Sequence, residues 1–327
     1  MQNVIICKPI FKTAIWGGKN LGEIFGIKKL PYEKTSEMWS ASAHENGETP
    51  IVIPGNLVFK SLNELYKADA IKEIFGTNCL KYNEFPLLIK WIDANDKLSV
   101  QVHPDDNYAK ENHDSFGKTE AWYIVSAKPD AKIVYGLKPG TTKADFEKAL
   151  SENRIEDVLN FVPVKEGDIF YIPSGMVHAL LDGVVVYEVQ QSSDITYRVF
   201  DWNRVDKDGN PRELHIEHAL NVINFGEFPN DFTYNSNKSE SEKNVRTILS
   251  SKYFDVRIRE LDGSCNTGTS KSSFKLCSVL KGTVKIENEF GAYTANAGES
   301  FILPAAEHYV GICNLSGTAT IIEATVK

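Results

Sequence analysis

Two histidines, a glutamine and a glutamate stand at positions that suit a bound metal ion. Gln101 and His103 lie two residues apart at the end of an apolar run, so both side chains point to the same face of a strand. Glu120 opens the next strand-like run, and His178 follows a Gly-Asp…Pro-Ser-Gly turn. These ligands suit zinc or another divalent ion with a position open to water or substrate. The alternative is that the two histidines are unrelated core or surface residues.

A second polar cluster follows the apolar run Val184–Val189. Within residues 190–202, Asp194 and Arg198 stand among Ser, Thr, Gln and Tyr. A guanidinium always carries charge and donates in a fork that suits oxyanions, although a surface ion pair with Asp194 or Asp201 is the plainer interpretation. Three other polar residues lie in or beside the strands that carry the candidate metal ligands: Lys90, Ser99 and Lys118. Contact with an anionic substrate is one interpretation of each, and simple solvation is the alternative.

Short strands must position these residues. Runs rich in Val, Ile, Leu and aromatics predict strands at Ile51–Ile53, Leu87–Ile92, Leu98–Val102, Trp122–Val125, Ile133–Tyr135, Ile169–Ile172 and Val184–Val189. Helical periodicity occurs at residues 62–75, 143–159 and 213–225. Because strands and helices do not alternate regularly, the pattern predicts a mainly β fold and argues against a doubly wound α/β sheet.

A short sequence pattern occurs twice. Residues 167–173 and 298–304 both read G-[DE]-x-F-x-[IL]-P, and His178 or His308 follows. Two related β-barrels or jelly rolls would explain the repeat, and a chance match is the alternative. Nothing like Q-x-H-P precedes His308 within 245–327, so we expect the second barrel to hold no metal.

Composition limits the possible partners. The 327 residues predict two domains, and 44 acidic against 36 basic residues give a net charge of −8. This charge disfavours nucleic acid but leaves room for a local basic pocket. The five cysteines are widely spaced without CxxC, which disfavours a disulfide framework or a cysteine zinc site. With neither a signal peptide nor an apolar run of about 18 residues, we expect a cytoplasmic protein without a membrane span.

Six motifs in order give the chain a family resemblance. They are Trp16-Gly-Gly18, Glu37-Met-Trp39-Ser-x-Ser, Ser99-Val-Gln-Val-His-Pro104, Gly117-Lys-Thr-Glu120, Pro173-Ser-Gly-x-x-His178-Ala-Leu and Ser193-Asp-x-Thr-Tyr-Arg198. Together they resemble the class I mannose-6-phosphate isomerases (phosphomannose isomerases) of the short bacterial form. The resemblance covers roughly residues 8–225 and extends more loosely over the C-terminal barrel.

The resemblance implies two cupin-type jelly-roll barrels. The catalytic cupin domain would span 1–235, with helical insertions near 141–160 and 213–225, and a metal-free cupin domain would span 236–327. A polar segment at 226–244, rich in Asn, Ser and Glu, predicts the linker between them. The implied activity is zinc-dependent interconversion of mannose 6-phosphate and fructose 6-phosphate.

The resemblance also assigns roles to individual residues. The family's catalytic arginine falls on Arg198, and Lys118 and Asp194 match positions proposed for proton transfer or substrate contact. Ser99 and Lys90 match positions proposed for binding the substrate or its phosphate. One zinc ion per chain would be held by Gln101, His103, Glu120 and His178. The family varies at the glutamine, and Gly117 replaces a histidine found in longer members.

The expected chemistry moves a proton between C1 and C2 of an open-chain sugar through an enediolate. A cation beside the charged oxygen lowers the barrier, and a base must carry the proton. The sequence leaves the base open between Lys118 and Asp194. The expected partner is a small sugar phosphate, with a monomer or weak homo-oligomer. The remaining alternatives are another metal-dependent cupin enzyme, such as an iron dioxygenase, and a non-catalytic sugar-phosphate-binding cupin.

Overall fold

The computed structural model describes residues 3–53, 59–68, 71–205, 208–228, 231–236, 244–305 and 309–327. Strands make up 45% and helices 14%, which confirms the mainly β prediction. Each run that the sequence predicts as a strand overlaps a strand of the structure. No helix in the described part of the chain is long and apolar enough to cross a membrane.

The elements follow one another along the chain. The first part contains β1 (Ile5–Cys7), β2 (Ile10–Gly18), α1 (Asn20–Phe25), β3 (Thr35–Ala41), β4 (Ile51–Val52), α2 (Leu62–Tyr66), α3 (Ile71–Ile74), a 3-10 helix (Thr77–Cys79), β5 (Leu87–Ala94), β6 (Val100–Val102), α4 (Asp106–His113), β7 (Glu120–Ala127) and β8 (Lys132–Leu137). It continues with α5 (Lys143–Ser151), a second 3-10 helix (Ile155–Asp157), β9 (Leu159–Pro163), β10 (Ile169–Ile172), β11 (His178–Leu180), β12 (Val184–Gln191), β13 (Tyr197–Phe200) and α6 (Ile216–Val222). The last part contains β14 (Thr233–Ser236), β15 (Val245–Ser250), β16 (Phe254–Leu261), β17 (Ser264–Gly268), β18 (Lys275–Lys281), β19 (Thr283–Asn288), β20 (Gly291–Asn296), β21 (Ser300–Leu303), β22 (Tyr309–Asn314) and β23 (Ala319–Val326).

Two antiparallel sheets enclose the first core. One has six strands in the order β10-β7-β12-β5-β3-β2, and the other has five in the order β13-β6-β11-β8-β9. Apolar side chains of both sheets meet between them, among them Trp122, Ile133 and Val186. Helices α5 and α6 pack Phe146 and Ala219 against the five-stranded sheet. The five-stranded sheet therefore packs against helices α5 and α6 in one apolar cluster and against the six-stranded sheet in another.

Two further sheets form the C-terminal part. One has eight strands in the order β14-β15-β16-β23-β18-β21-β1-β4, and the other has four in the order β17-β22-β19-β20. Strands β1 and β4 come from the N-terminal end of the chain and extend the C-terminal sheet. The six- and eight-stranded sheets pack against each other, and Tyr187 Oη lies 2.9 Å from Ser278 Oγ across this interface. The boundary after residue 235 stays a prediction.

The two parts repeat one strand order. Strands β10-β7-β12-β5 lie side by side in the same order as β21-β18-β23-β16, and β6-β11-β8-β9 in the same order as β17-β22-β19-β20. The repeated sequence pattern begins just before β10 and just before β21. Its glycines, Gly167 and Gly298, have φ of 89° and 87°, the left-handed backbone that favours glycine. The sequence repeat therefore marks equivalent places in the two parts.

The predicted helices are longer than the observed ones. Helix α5 starts with a capping box at Thr142 but ends at Ser151, and the chain turns into β9 by Leu159. Asn153, with φ of 54°, interrupts the helical backbone between them. The 213–225 helix shortens to α6, and the 62–75 helix divides into α2 and α3, with residues 69–70 outside the described ranges.

The segment predicted as a linker is partly strand. Residues 233–236 form β14, which pairs with β15 at the edge of the eight-stranded sheet. Residues 229–230 and 237–243 lie outside the described ranges. The interpretation of 226–244 as a plain linker is therefore wrong for β14, because sheet pairing organises a segment that its polar composition did not predict.

Candidate metal centre and active site

Three predicted ligands meet inside the first pair of sheets. His103 directly follows β6, Glu120 begins β7, and His178 begins β11. His103 Nε2 lies 3.2 Å from Glu120 Oε1 and 3.2 Å from His178 Nε2, and His178 Nε2 lies 3.7 Å from Glu120 Oε2. All three side chains are about 1% exposed. One atom from each residue can therefore face a single ion, and we call these three residues the metal cluster.

The hydrogen bonds of the metal cluster leave its ligand atoms available. His178 Nδ1 donates to the carbonyl oxygen of Met176 at 2.8 Å, which leaves the lone pair on Nε2 facing the cluster. Glu120 Oε2 is buried without a hydrogen-bond partner among the described residues. A buried carboxylate oxygen without a donor is costly unless a cation compensates it. The donor set and this oxygen therefore fit a divalent metal ion.

The charges also suit metal binding. Burial, reinforced by the ammonium of Lys118, lowers the pKa of His103 to about 3, and burial lowers the pKa of His178. Burial would raise the pKa of Glu120, but Lys118 and His103 outweigh it and hold that pKa well below its usual range. Near neutral pH the cluster therefore offers two neutral imidazoles and one carboxylate, the protonation states in which these groups bind metals.

Gln101 lies beside the metal cluster through sheet pairing. In the antiparallel sheet its Cα pairs with that of His178 on one side and that of Arg198 on the other. Residues paired directly across antiparallel strands present their side chains on the same face. The register therefore places Gln101 next to His178, and its role as fourth ligand stays a prediction.

Arg198 reaches the same sheet from β13. Its Nε donates to Ser99 Oγ at 3.3 Å, and its Nη1 donates to the carbonyl oxygen of Glu213 at 2.7 Å. Its side chain is half-buried, while Ser99 is buried. The structure therefore brings two predicted residues, Arg198 and Ser99, together beside Gln101.

Lys118 is buried against the metal cluster. Its Nζ lies 3.0 Å from Glu120 Oε1 and 3.2 Å from His103 Nε2. Lys118 is thus a predicted cation that contacts the metal cluster directly. Its ammonium can donate to an oxygen held near Glu120.

Lys90 lies in a different setting from the one expected. Its Nζ lies 3.4 Å from Glu188 Oε1 and 3.9 Å from Glu37 Oε2, and the amine is buried. Burial alone would lower the pKa of Lys90, but these two carboxylates raise it above its usual range. Its charge is already compensated inside the protein, so contact with a phosphate stays a prediction.

Glu188 is a buried group that the sequence reasoning missed. It lies in β12, where its backbone pairs with Lys90 of β5 on one side and with Trp122 of β7 on the other. Trp122 Nε1 donates to its Oε2 at 2.7 Å. Burial, then the charge of Glu120, raises the pKa of Glu188 to about 7, against the opposing effect of Lys90. The sequence signal that could have revealed this buried group is that Glu188 is the single carboxylate within the apolar run Val184–Val189.

Asp194 is exposed and lines a cavity of about 1050 Å³. It accepts a hydrogen bond from Asn46 Nδ2 at 3.0 Å. Partial desolvation raises its pKa, but the charges of Lys90 and Lys118 outweigh this, and the resulting pKa lies below the usual value. Asp194 is therefore ionised near neutral pH and poorly suited to accept a proton.

The other described histidines, at positions 44, 113, 215 and 218, lie outside the metal cluster. His113 and His218 hydrogen-bond tyrosines, His113 Nε2 lying 2.6 Å from Tyr197 Oη and His218 Nδ1 lying 2.9 Å from Tyr108 Oη. His44 lines the same cavity as Asp194. The prediction for His308 lies outside the described residues.

Two family models match the chain. The model described as phosphomannose isomerase type I, catalytic domain, matches residues 5–135. The model described as mannose-6-phosphate isomerase, cupin domain, matches residues 244–326. The first range contains His103 and Glu120, and the second contains most of the C-terminal sheets.

Full-length relatives agree with these matches. The mannose-6-phosphate isomerase of Streptococcus mutans is 40% identical over 306 residues, which cover 91% of this chain and 93% of the relative. Mannose-6-phosphate isomerase ManA of Bacillus subtilis is 37% identical over 316 residues, 96% of each chain. The crystal structure of the mannose 6-phosphate isomerase from Bacillus subtilis superimposes with a TM-score of 0.87 at 36% identity, covering 99% of both chains. The chain therefore belongs to the type I phosphomannose isomerase family.

Proposed function

We propose that the protein is a zinc-dependent aldose–ketose isomerase that interconverts mannose 6-phosphate and fructose 6-phosphate. The observation that supports this most directly is the buried metal cluster beside Arg198 and Lys118, in a chain of this family. The two sheet pairs, with their repeated strand order, support two cupin jelly rolls, of which only the first carries the reaction.

Four residues would hold the zinc ion: Gln101, His103, Glu120 and His178. When bound, the ion supplies positive charge and a Lewis acid beside the sugar. Neutral imidazoles and a carboxylate suit zinc, and the amide of Gln101 adds an oxygen ligand. Glu120 Oε2, which is buried without a hydrogen-bond donor, would gain a compensating positive charge from the ion.

The protein's own cations serve the isomerisation. Moving the proton between C1 and C2 leaves negative charge on an enediolate oxygen. Arg198 is held by Ser99 and the Glu213 carbonyl, so its guanidinium is oriented before the charge develops. The ammonium of Lys118, fixed against Glu120, would donate to a substrate oxygen held near the metal cluster. These contacts support a role for both residues in stabilising the enediolate.

Three groups compete for the proton transfer itself. The sequence leaves Lys118 and Asp194, and the structure adds Glu188. A general base works best with a pKa near the operating pH. The low pKa of Asp194 counts against it. Burial raises the pKa of Glu188, which favours a base, but its carboxylate is buried and held by Trp122 and Lys90. Solvent-isotope exchange at C1 and C2 with Lys118→Met, Asp194→Asn and Glu188→Gln distinguishes them, because only loss of the base removes exchange.

The test is turnover of mannose 6-phosphate by the purified protein, with and without a chelator. We expect exchange with fructose 6-phosphate that the chelator abolishes and zinc restores. Zinc-loaded protein without exchange would overturn the proposal and leave a sugar-phosphate-binding module. Activity that requires iron and consumes oxygen would also overturn it, in favour of a dioxygenase.

A further inference from the structure

Three consecutive amides fix the chain around Lys118. We call residues 117–119 the anchor segment. The N–H of Gly117 donates to Asp106 Oδ1 at 3.0 Å, and that of Lys118 donates to the Pro104 carbonyl at 3.0 Å. The N–H of Thr119 donates to a side-chain oxygen of β12. The backbone that carries Lys118 is therefore held at every residue of the segment.

Asp106 connects two of these three anchors. Its Oδ1 accepts from the Gly117 amide and also from Gln191 Nε2 at 2.9 Å. Gln191 in turn accepts the Thr119 amide on its Oε1 at 3.0 Å. The carboxylate of Asp106 therefore acts on the anchor segment directly at one end and through Gln191 at the other.

The second oxygen of Asp106 is held from the C-terminal part of the chain. Tyr253, between β15 and β16, donates its hydroxyl to Asp106 Oδ2 at 2.8 Å. Burial, together with the charge of Asp106, raises the pKa of Tyr253 above its usual range. The hydroxyl therefore stays protonated and keeps donating throughout the working pH range.

The close approach of Asp106 to the anchor segment explains why residue 117 is a glycine. A Cβ atom on Gly117 would lie 2.5 Å from the Asp106 amide nitrogen and 2.6 Å from the Asp105 carbonyl carbon. Both contacts are with backbone, so neither neighbour could move aside cheaply. The residue at 117 must be glycine for α4 to begin directly against the segment.

We propose that Asp106 and Tyr253 are positioning residues for Lys118. Through them the C-terminal domain fixes where the Lys118 ammonium stands relative to the metal cluster. Lysine has a long side chain with many rotamers, so a fixed backbone is needed to place its charge within about 0.5 Å. The inference rests on the proposed function for its catalytic consequence, but the anchoring itself is independent of any substrate.

The first test is hydrogen exchange of the anchor segment. Tyr253→Phe removes the hydroxyl and little else, so we expect faster exchange of the amides at 117 and 119. The matched control is Tyr187→Phe, which removes a hydroxyl from the same interface between the sheets but one bonded to Ser278. Exchange in Tyr253→Phe equal to that in the control would overturn the proposal, whether or not the protein is an isomerase.

The second test measures turnover. With the metal content unchanged, we expect Tyr253→Phe to lower kcat about fivefold, the scale of one hydrogen bond, with little change in KM. In a Lys118→Met background the same substitution should have no further effect, because the positioned group is gone. An equal loss of kcat in both backgrounds would overturn the positioning role. Wild-type protein without isomerase activity would instead refute the proposed function, and the exchange result would remain interpretable.

Discussion

Buried charges occur at matching places in the two parts of the molecule, but they pair differently. Glu120 of β7 pairs with Ile172, the residue before the proline of the first sequence repeat. At the same place in the second repeat, Leu303 pairs with Lys275 of β18. A cation thus stands in the C-terminal sheet where the carboxylate of the candidate metal site, Glu120, stands in the N-terminal one.

The surroundings of Lys275 differ correspondingly. Glu323 Oε1 accepts from Arg259 Nε at 2.6 Å, and Glu323 Oε2 lies 3.4 Å from Lys275 Nζ. Both cations also donate to Thr267 Oγ1, Lys275 at 2.7 Å and Arg259 at 2.9 Å. We call Arg259, Lys275 and Glu323 the ion-pair cluster, and all three side chains are buried.

The difference shows how one strand order supports two kinds of buried polar group. In the metal cluster, one candidate ligand atom from each of three residues faces a common point. One carboxylate oxygen, Glu120 Oε2, has no hydrogen-bond donor among the described residues and would be compensated by a bound ion. The ion-pair cluster has a single carboxylate, Glu323, which two buried cations compensate. Among the described residues, no imidazole or second carboxylate joins Glu323 in a group that could hold a metal ion. We therefore expect one metal ion per chain, bound in the N-terminal part.

The largest expected effect is the loss of the metal cluster. His103→Ala should lower metal affinity by at least about a hundredfold and turnover to near the detection limit, because one of the converging nitrogens is gone. Metal analysis after dialysis and the isomerase assay measure both. His218→Ala is the matched control, a histidine bonded to Tyr108 outside the cluster. Full metal content in His103→Ala would contradict the assignment of the N-terminal cluster.

Removing the neighbouring guanidinium should separate catalysis from metal binding. Arg198→Ala should lower kcat by about a hundredfold, the scale of one preorganised donor, and leave the metal content unchanged. Arg154→Ala is the control, since Arg154 is exposed and pairs with the exposed carboxylates of Glu152 and Asp157. Turnover near that of the wild type would show that Arg198 does not act on the reacting oxygens.

The ion-pair cluster should matter for stability and not for metal content. Glu323→Gln leaves Arg259 and Lys275 buried without their carboxylate, and we expect a loss of about 3 kcal/mol in the free energy of unfolding. Glu287→Gln, at an exposed ion pair with Lys285, should change it by less than about 0.5 kcal/mol. Denaturant titration measures both variants. A loss in Glu323→Gln no larger than that in Glu287→Gln would show that the ion-pair cluster does not stabilise the fold.

The smallest expected effect is the acid sensitivity of the metal-free protein. The pKa of His103 falls from 6.5 to about 3 in the folded state. Between these values the unfolded chain binds the proton and the folded chain does not, so stability decreases as pH falls, by about 1 kcal/mol per pH unit. Unfolding titrations at pH 7, 6 and 5 measure the slope. His103→Gln should reduce the slope, and an unchanged slope would show that the acid sensitivity does not arise from His103.

The local part of the active site could be predicted from the sequence. Alternation along a strand places Gln101 and His103 on one face, and a turn before His178 brings it to the start of β11. These features follow from the two-residue period of strands and from turn residues, both of which are visible in a short stretch of sequence. The strands and the mainly β fold were predictable for the same reason.

The partners of the buried charges could not be predicted in this way. Lys90 was expected to face a phosphate, yet Glu188 lies across the sheet from it and Glu37 lies beside it. Glu188 itself looked like one polar residue in an apolar strand. Its raised pKa comes from burial and from the charge of Glu120. Neither its burial nor its closeness to Glu120 can be read from the sequence around residue 188.

The sequence by itself determined the ligand types, the strand pattern, the repeat and the family, because each depends on residues close together or in a fixed order. Only the tertiary structure decided that β1 and β4 complete the C-terminal sheet and that Tyr253 reaches Asp106 beside Lys118. It also decided that Lys275 stands at the place that matches Glu120. The physical reason is that pairing between distant strands is set by the packing of whole sheets, which leaves no periodic signal in either strand alone.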